Sequence, residues 1–251
     1  MANNDKELTI LEHLAELRSS LVKAGIAVLV TSTLSMIFAE RVLNLLILPL
    51  GEQIPQTIKP TESFTVYFKV ALICGLGVAM PVVLYQAVRF ILPGLLPHER
   101  KYLTWLLPGA TFSFIAGGAF GAFVMIPVAV NFMQGFLETI VDNRWTLENY
   151  VDFVTRVMFW MGVVFETPLI LFFLAKVGVV DAKKLARWRK FAFLGCAVVA
   201  AMITPTPDPV NMMIVMLPLY GLYEVGILLT RLARSPRKPT VEVDTTDATG
   251  S

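Results

Sequence analysis

Charge is what this chain has least of. Only 16% of its 251 residues are Asp, Glu, Lys or Arg, against 56% hydrophobic, whereas a soluble domain carries roughly 25% charged residues. A water-soluble globule is excluded for most of the length, and the long apolar runs place the chain in a bilayer. Cysteine and histidine are nearly missing: Cys74 and Cys196 lie far apart in apolar runs, and His13 and His98 are isolated. Neither pair offers CxxC or metal-ligand spacing, so the cysteines read as buried small hydrophobes and no metal is expected. HExxH, GxSxG and GxxxxGK are all absent, which removes the zinc-protease, nucleophile-elbow and P-loop classes. No enzyme activity and no cofactor are expected. The polar opening MANNDKE, with a long first apolar segment ending at Glu40 and Arg41, predicts a true spanning helix and no cleavable signal peptide.

What is present is six charge-poor stretches, at 24–39, 70–88, 102–137, 157–175, 191–207 and 209–223. They predict an all-α polytopic membrane protein with spans at about 19–39, 68–90, 102–134, 154–176, 191–204 and 210–230. Residues 1–230 then form one transmembrane domain, and 231–251, rich in Pro, Thr and Asp, a disordered tail. An even number of spans puts both termini on one side. With the N-terminus inside, sixteen Lys and Arg fall on inner segments and five (Arg41, Lys59, Lys69, Arg144 and Arg156) on outer ones. Cytoplasmic loops keep positive charge, so both termini are expected in the cytoplasm. The same rule explains the six cations from Lys176 to Lys190 better than nucleic acid does, and no nucleic-acid partner is expected.

The last two apolar stretches are short, 13 residues (Phe191–Ile203) and 14 (Val210–Tyr223). Thirteen helical residues rise about 20 Å, against about 30 Å of hydrocarbon. Pro205, Pro207 and Pro209 forbid a continuous helix between them, so either the pair stops short of the outer surface or the bilayer thins. Pro108 and Pro127 are placed to kink the long third stretch, where Gly117, Gly118 and Gly121 suggest close helix packing. The outer segments 40–69 and 138–156 are long enough to form ordered caps.

Glu166 is the one charge in VMFWMGVVFETPLILFFLA, at its midpoint. A carboxylate at that depth costs on the order of 2.5–3.5 kcal/mol on insertion scales, so it faces protein or a wet cavity. Pro168 withholds the usual donor from the Val164 carbonyl. A proton relay, a polar patch that disturbs the bilayer, and a structural hydrogen bond remain open for it. The polar patch is preferred because no mid-span carboxylate partners it; Glu224 lies near a helix end.

Two inner-face segments carry polar chemistry. TILEHLAELRSSL at 9–21 reads as an amphipathic helix, with a Thr9/Glu12 capping box and an apolar stripe of Ile10, Leu14, Leu17 and Leu21. His13, Glu16 and Ser20 share another face, which could equally be a solvated interfacial surface. FILPGLLPHERKY at 90–102 is a short loop shaped by Pro93, Gly94 and Pro97, with Glu99 beside Arg100 and Lys101. HLAELR (13–18) and FILPGLLPHER (90–100) resemble the signature motifs of the TatC family, the receptor subunit of the twin-arginine translocase. FKVAL near residue 68, MPVVLYQ (80–86), GVVFETPL (162–169), the TPTPDP turn and PLYGLYEVGI (218–227) match in the same order, over nearly the whole chain. An aromatic residue would be expected near Leu96, where this chain departs from the pattern.

The resemblance implies a cupped six-helix bundle in the bacterial inner membrane with short helices five and six. It implies a receptor that binds signal peptides of folded cargo bearing two arginines and works with TatA-type and TatB-type single-span partners. It also implies self-association in a larger complex and use of the proton-motive force. By motif position, Glu16 and Glu99 would meet the arginines, while Arg18, Phe90 and His13 would shape the same patch. Glu166 would face the concave inner side, and Pro49 and Asp208 would be structural residues of the outer face. Helices five and six are a plausible partner-docking edge. The chemistry agrees, since a guanidinium fork fits a carboxylate bidentately and lysine does not. Exposed ion pairs are worth only about 0.2–1 kcal/mol, so the apolar part of the signal peptide must supply most of the affinity. A proton-coupled small-solute transporter using Glu166 is the alternative expectation, against which stands the lack of an internal repeat.

Overall fold

The computed structural model describes residues 10–51, 53–91, 100–135, 144–204 and 209–232. Nearly all of these are helical. α1 (Ile10–Ser35) is followed by a turn, α2 (Ala39–Leu46) and a 3-10 turn at Leu48–Leu50; α3 runs Glu62–Ile91. α4 (Arg100–Phe120) passes through a π-helical turn, Gly121–Met125, into α5 (Ile126–Gly135). α6 (Leu147–Phe165) and α7 (Thr167–Lys176) form one bent unit, then come α8 (Ala182–Arg187), α9 (Arg189–Ile203) and α10 (Pro209–Leu232). Among the described residues, five helical segments are long and apolar enough to cross a membrane: 14–35, 62–90, 106–135, 147–176 and 209–232. α9, with 15 residues, rises only about 22 Å and is the short fifth apolar segment in chain order.

Several helices outrun their apolar stretches. The amphipathic segment and the first span are one continuous helix, α1. α6 begins at Leu147, inside what the sequence marks as outer loop, because Thr146 caps it by accepting a hydrogen bond from the Asn149 N–H at 3.4 Å. α10 does not stop at Glu224 but continues to Leu232, giving 24 residues. Its charge is matched there: Arg189 Nη2 donates to Glu224 Oε2 at 2.7 Å, and the Tyr220 hydroxyl to Glu224 Oε1 at 3.0 Å. Pro108 lies within α4. The break in the third stretch falls just before Pro127, whose missing N–H is accommodated by the π turn.

The core centres on α6. Tyr150, Val151, Phe153, Val154, Val157 and Met161 are buried there, against Val66 and Val70 of α3, Ala39 and Leu46 of α2, and Ala129 and Val130 of α5. Polar ties bind the outer ends. Glu62, buried at the start of α3, accepts from the backbone N–H of Ile58 (2.9 Å) and Lys59 (3.4 Å) through Oε2, and from Glu148 (2.7 Å) through Oε1. One carboxylate thus caps the start of α6 and ties down the loop that enters α3. Gln56 pairs with the same region, its N–H donating to Trp145 O (3.0 Å) and its carbonyl accepting from the Leu147 N–H (2.9 Å). The Tyr150 hydroxyl donates to Leu46 O at 2.6 Å, and Lys69 pairs with Asp152. The outer segment 46–62 is therefore stitched to the first turns of α6.

Small residues set the helix spacings. A Cβ on Gly75 of α3 would overlap the backbone of Ser32 in α1, where the Thr31 hydroxyl also donates to Gly75 O at 2.7 Å. A Cβ on Gly117 of α4 would stand 2.5 Å from Met161 O, and one on Gly226 of α10 would meet Leu171 of α7 at 2.6 Å. The expected closeness around Gly117 and Gly121 is present, as Gly121 faces Met158 and Met161 of α6. In lipid, packing contact takes over from the hydrophobic effect in joining helices.

Gly75→Val is expected to force α1 away from α3 at a cost of about 1–3 kcal/mol, read as a lowered Tm and as loss of engineered-cysteine crosslinking between the helices. Glu62→Ala is expected to lower Tm and to expose 46–61 to protease. Glu62→Gln, which keeps an acceptor oxygen, is expected to do so less.

Candidate functional site

α1 and α3 run antiparallel, and two hydrogen bonds fix their register. Thr31 reaches Gly75 O, and the Tyr67 hydroxyl donates to Met36 O at 2.5 Å. With equal rise along both helices, stepping back from these ties sets Glu16 level with Ala87–Phe90, the last turns of α3. Glu16 and Arg18 are exposed on α1, and Phe90 is half-buried on α3. His13 belongs to α1, but its side chain lies outside the described residues, as do Thr9 and Glu99. The chain leaves α3 at Ile91 and enters α4 at Arg100, so Glu99 directly precedes α4. Glu16, Arg18 and Phe90 thus share one end of the α1–α3 pair. Pro49 sits at the opposite end, in the 3-10 turn after α2; Asp208 lies outside the described residues.

Glu166 occupies the junction of α6 and α7 and is 7% exposed. Pro168 takes the second position of α7. The Val164 carbonyl, expected to lack a donor, is instead reached by a backbone N–H of the cap, as is that of Val163. The next carbonyl, Phe165, accepts from the Ser113 hydroxyl of α4 at 2.7 Å. The bend therefore satisfies its backbone by a tightened turn and one borrowed hydroxyl. What it leaves over is the carboxyl: Glu166 Oε1 is buried without a hydrogen-bond partner among the described residues. Such an atom is matched by water or by a visiting polar group. Ser113, Glu62 and the Arg189–Glu224–Tyr220 cluster escaped the sequence reading. The only local signal was Glu62 following Lys-Pro-Thr at the head of an apolar run, a helix-start pattern.

The model of the Sec-independent protein translocase protein (TatC) family matches residues 12–218. The chain belongs to the TatC family. It is 34% identical to the TatC of Aquifex aeolicus, over 92% of this chain and 98% of that one, and 35% identical to the chloroplastic protein of Arabidopsis thaliana, over 91% and 68%. A crystal structure described as the twin-arginine translocase receptor TatC superposes with a TM-score of 0.80 at 35% identity, covering 88% of this chain and 99% of that chain. This is a protein-transport family and not an enzyme family, and the chain is a membrane protein of the Sec-independent translocation system.

If polarity is what the α6–α7 junction requires, Glu166→Gln will keep most export of a folded twin-arginine reporter, and Glu166→Leu will lose it at equal expression. Loss with Gln as well would make titration of the carboxyl the requirement.

Proposed function

We propose that this TatC-family chain is the core receptor of a twin-arginine translocase. It binds Arg-Arg signal peptides at the inner ends of α1 and α3 and helps export their folded cargo. The observation that carries the reading is Glu16, exposed on α1 and in register with the final turns of α3, next to the α3–α4 connection that holds Glu99. Glu16 and Glu99 act as the two carboxylates for the guanidinium pair, with Arg18, Phe90 and His13 shaping the surface around them. Bidentate geometry selects Arg over Lys at each position. Affinity comes mainly from burying the apolar part of the signal peptide along the helices, at about 0.8 kcal/mol per CH₂.

The receptor lies in the bacterial inner membrane with both ends in the cytoplasm, consistent with the excess of Lys and Arg on that side. It assembles with TatA-type and TatB-type single-span proteins and with further copies of itself, and cargo movement draws on the proton-motive force. Glu166 serves after recognition, as a polar point within the bundle that holds water during passage. Pro49 and Asp208 maintain the outer face.

Purified protein is expected to crosslink to a photoreactive Arg-Arg signal peptide and to lose this with a Lys-Lys peptide. Glu16→Ala combined with Glu99→Ala is expected to abolish it as well. Equal crosslinking across all of these would sink the receptor reading.

A further inference from the structure

The segment between α7 and α9 is basic, and its depth is fixed by contacts that charge counting alone does not supply. Asp181 is the only acid between Lys176 and Lys190. Arg189 is committed to Glu224 of α10, and the Tyr223 hydroxyl of α10 donates to Leu185 O of α8 at 2.8 Å. Leu185 is buried, while Lys183, Lys184, Arg187 and Lys190 are exposed. None of these four has a carboxylate partner among the described residues. Four cations against one acid leave a local charge of +3.

The two ties to α10 set the level of this charge. Glu224 precedes the end of α10, Leu232, by eight residues, about 12 Å along the axis. α10 itself is 24 residues long, about 36 Å, against about 30 Å of hydrocarbon. The basic segment is therefore held level with the final turns of a spanning helix. Beside it, Trp188 and Phe191 are exposed, the aromatic signature of a membrane interface. From there the Lys and Arg stems extend to the interface, where the available counter-charge is the phosphodiester of a lipid.

We propose that Lys183, Lys184, Arg187 and Lys190, pinned through Leu185 and Arg189 to α10, form a binding site for anionic phospholipid headgroups in the leaflet bordering α8. Each cation within reach of the headgroups adds about fivefold to the preference for anionic over zwitterionic lipid. The preference falls with salt because the cations are exposed. Trp188 and Phe191 seat the acyl chains beside the short α9, and Arg189 stays with Glu224 as the tie that sets depth.

The test uses the full chain in detergent, examined by native mass spectrometry with phosphatidylglycerol or phosphatidylcholine of identical acyl chains. The wild type should retain phosphatidylglycerol preferentially. The combined variant Lys183→Gln, Lys184→Gln, Arg187→Gln, Lys190→Gln should lose the preference by about fivefold per cation removed, with helical circular dichroism unchanged. If that variant does not fold, Lys183→Gln with Lys184→Gln is read in the same way. Lys183→Arg with Lys184→Arg and Lys190→Arg should bind like wild type. Equal retention of the two lipids, undiminished phosphatidylglycerol binding in the Gln variants, or loss of the lipid to millimolar inorganic phosphate would overturn the proposal.

Discussion

The carboxylate of Glu62 is the tie on which the outer half of this bundle depends. It gathers N–H groups from the loop before α3 and from the first turn of α6, the last a group that a helix start leaves unpaired. A single buried acceptor at the head of α3 that also caps α6 holds the two helices at one height. The Gln56 bridge and the Tyr150–Leu46 bond repeat the link on either side. Because α6 contributes more residues to the buried core than any other helix among the described residues, fixing its start places everything that hangs from it, Glu166 included.

From that fixed end the helices are spaced by residues without side chains. Gly75 lets α1 lie against α3, Gly117 lets α4 lie against α6, and Gly226 lets α7 lie against α10. Polar bonds then set the register where packing alone would allow sliding: Thr31 to Gly75, Tyr67 to Met36, and Arg189 to Glu224. The outcome differs at the two ends of the molecule. The end that carries Glu62 and Tyr150 is stitched by hydrogen bonds. The opposite end presents exposed charge: Glu16 and Arg18 on α1, and the cations of α8 and its flanks. The proposed receptor surface and the proposed lipid site both need that freedom.

Much of the architecture was legible because lipid is a demanding solvent: a run of about 20 apolar residues has few alternatives to a helix. Glu166 was legible for the same reason, as a lone charge in a 19-residue apolar run. The start of α6 was not, since its first ten residues are mixed in charge and read as loop; Glu148, Asp152 and Arg156 sit there. The continuation of α10 past Glu224 matches the expected span to about 230, but the partner of Glu224 was hidden, because the cation that neutralises it lies 35 positions earlier. The candidate recognition patch was legible only through its motifs, as exposed Glu and Arg on an amphipathic helix ordinarily mean a solvated face.

By itself the sequence determined the membrane class, the number and order of apolar segments, the segregation of positive charge to alternate connections and the family, because each rests on local composition or on a linear motif. Tertiary structure alone decided which polar groups meet. That Glu62 caps a helix 86 residues away, that Ser113 takes the Phe165 carbonyl freed at the α6–α7 bend, and that Glu166 Oε1 is left over once the bend is satisfied all depend on distances between helices. Hydrogen bonds act over about 3 Å, and no pattern along a chain specifies which of its distant turns will come that close.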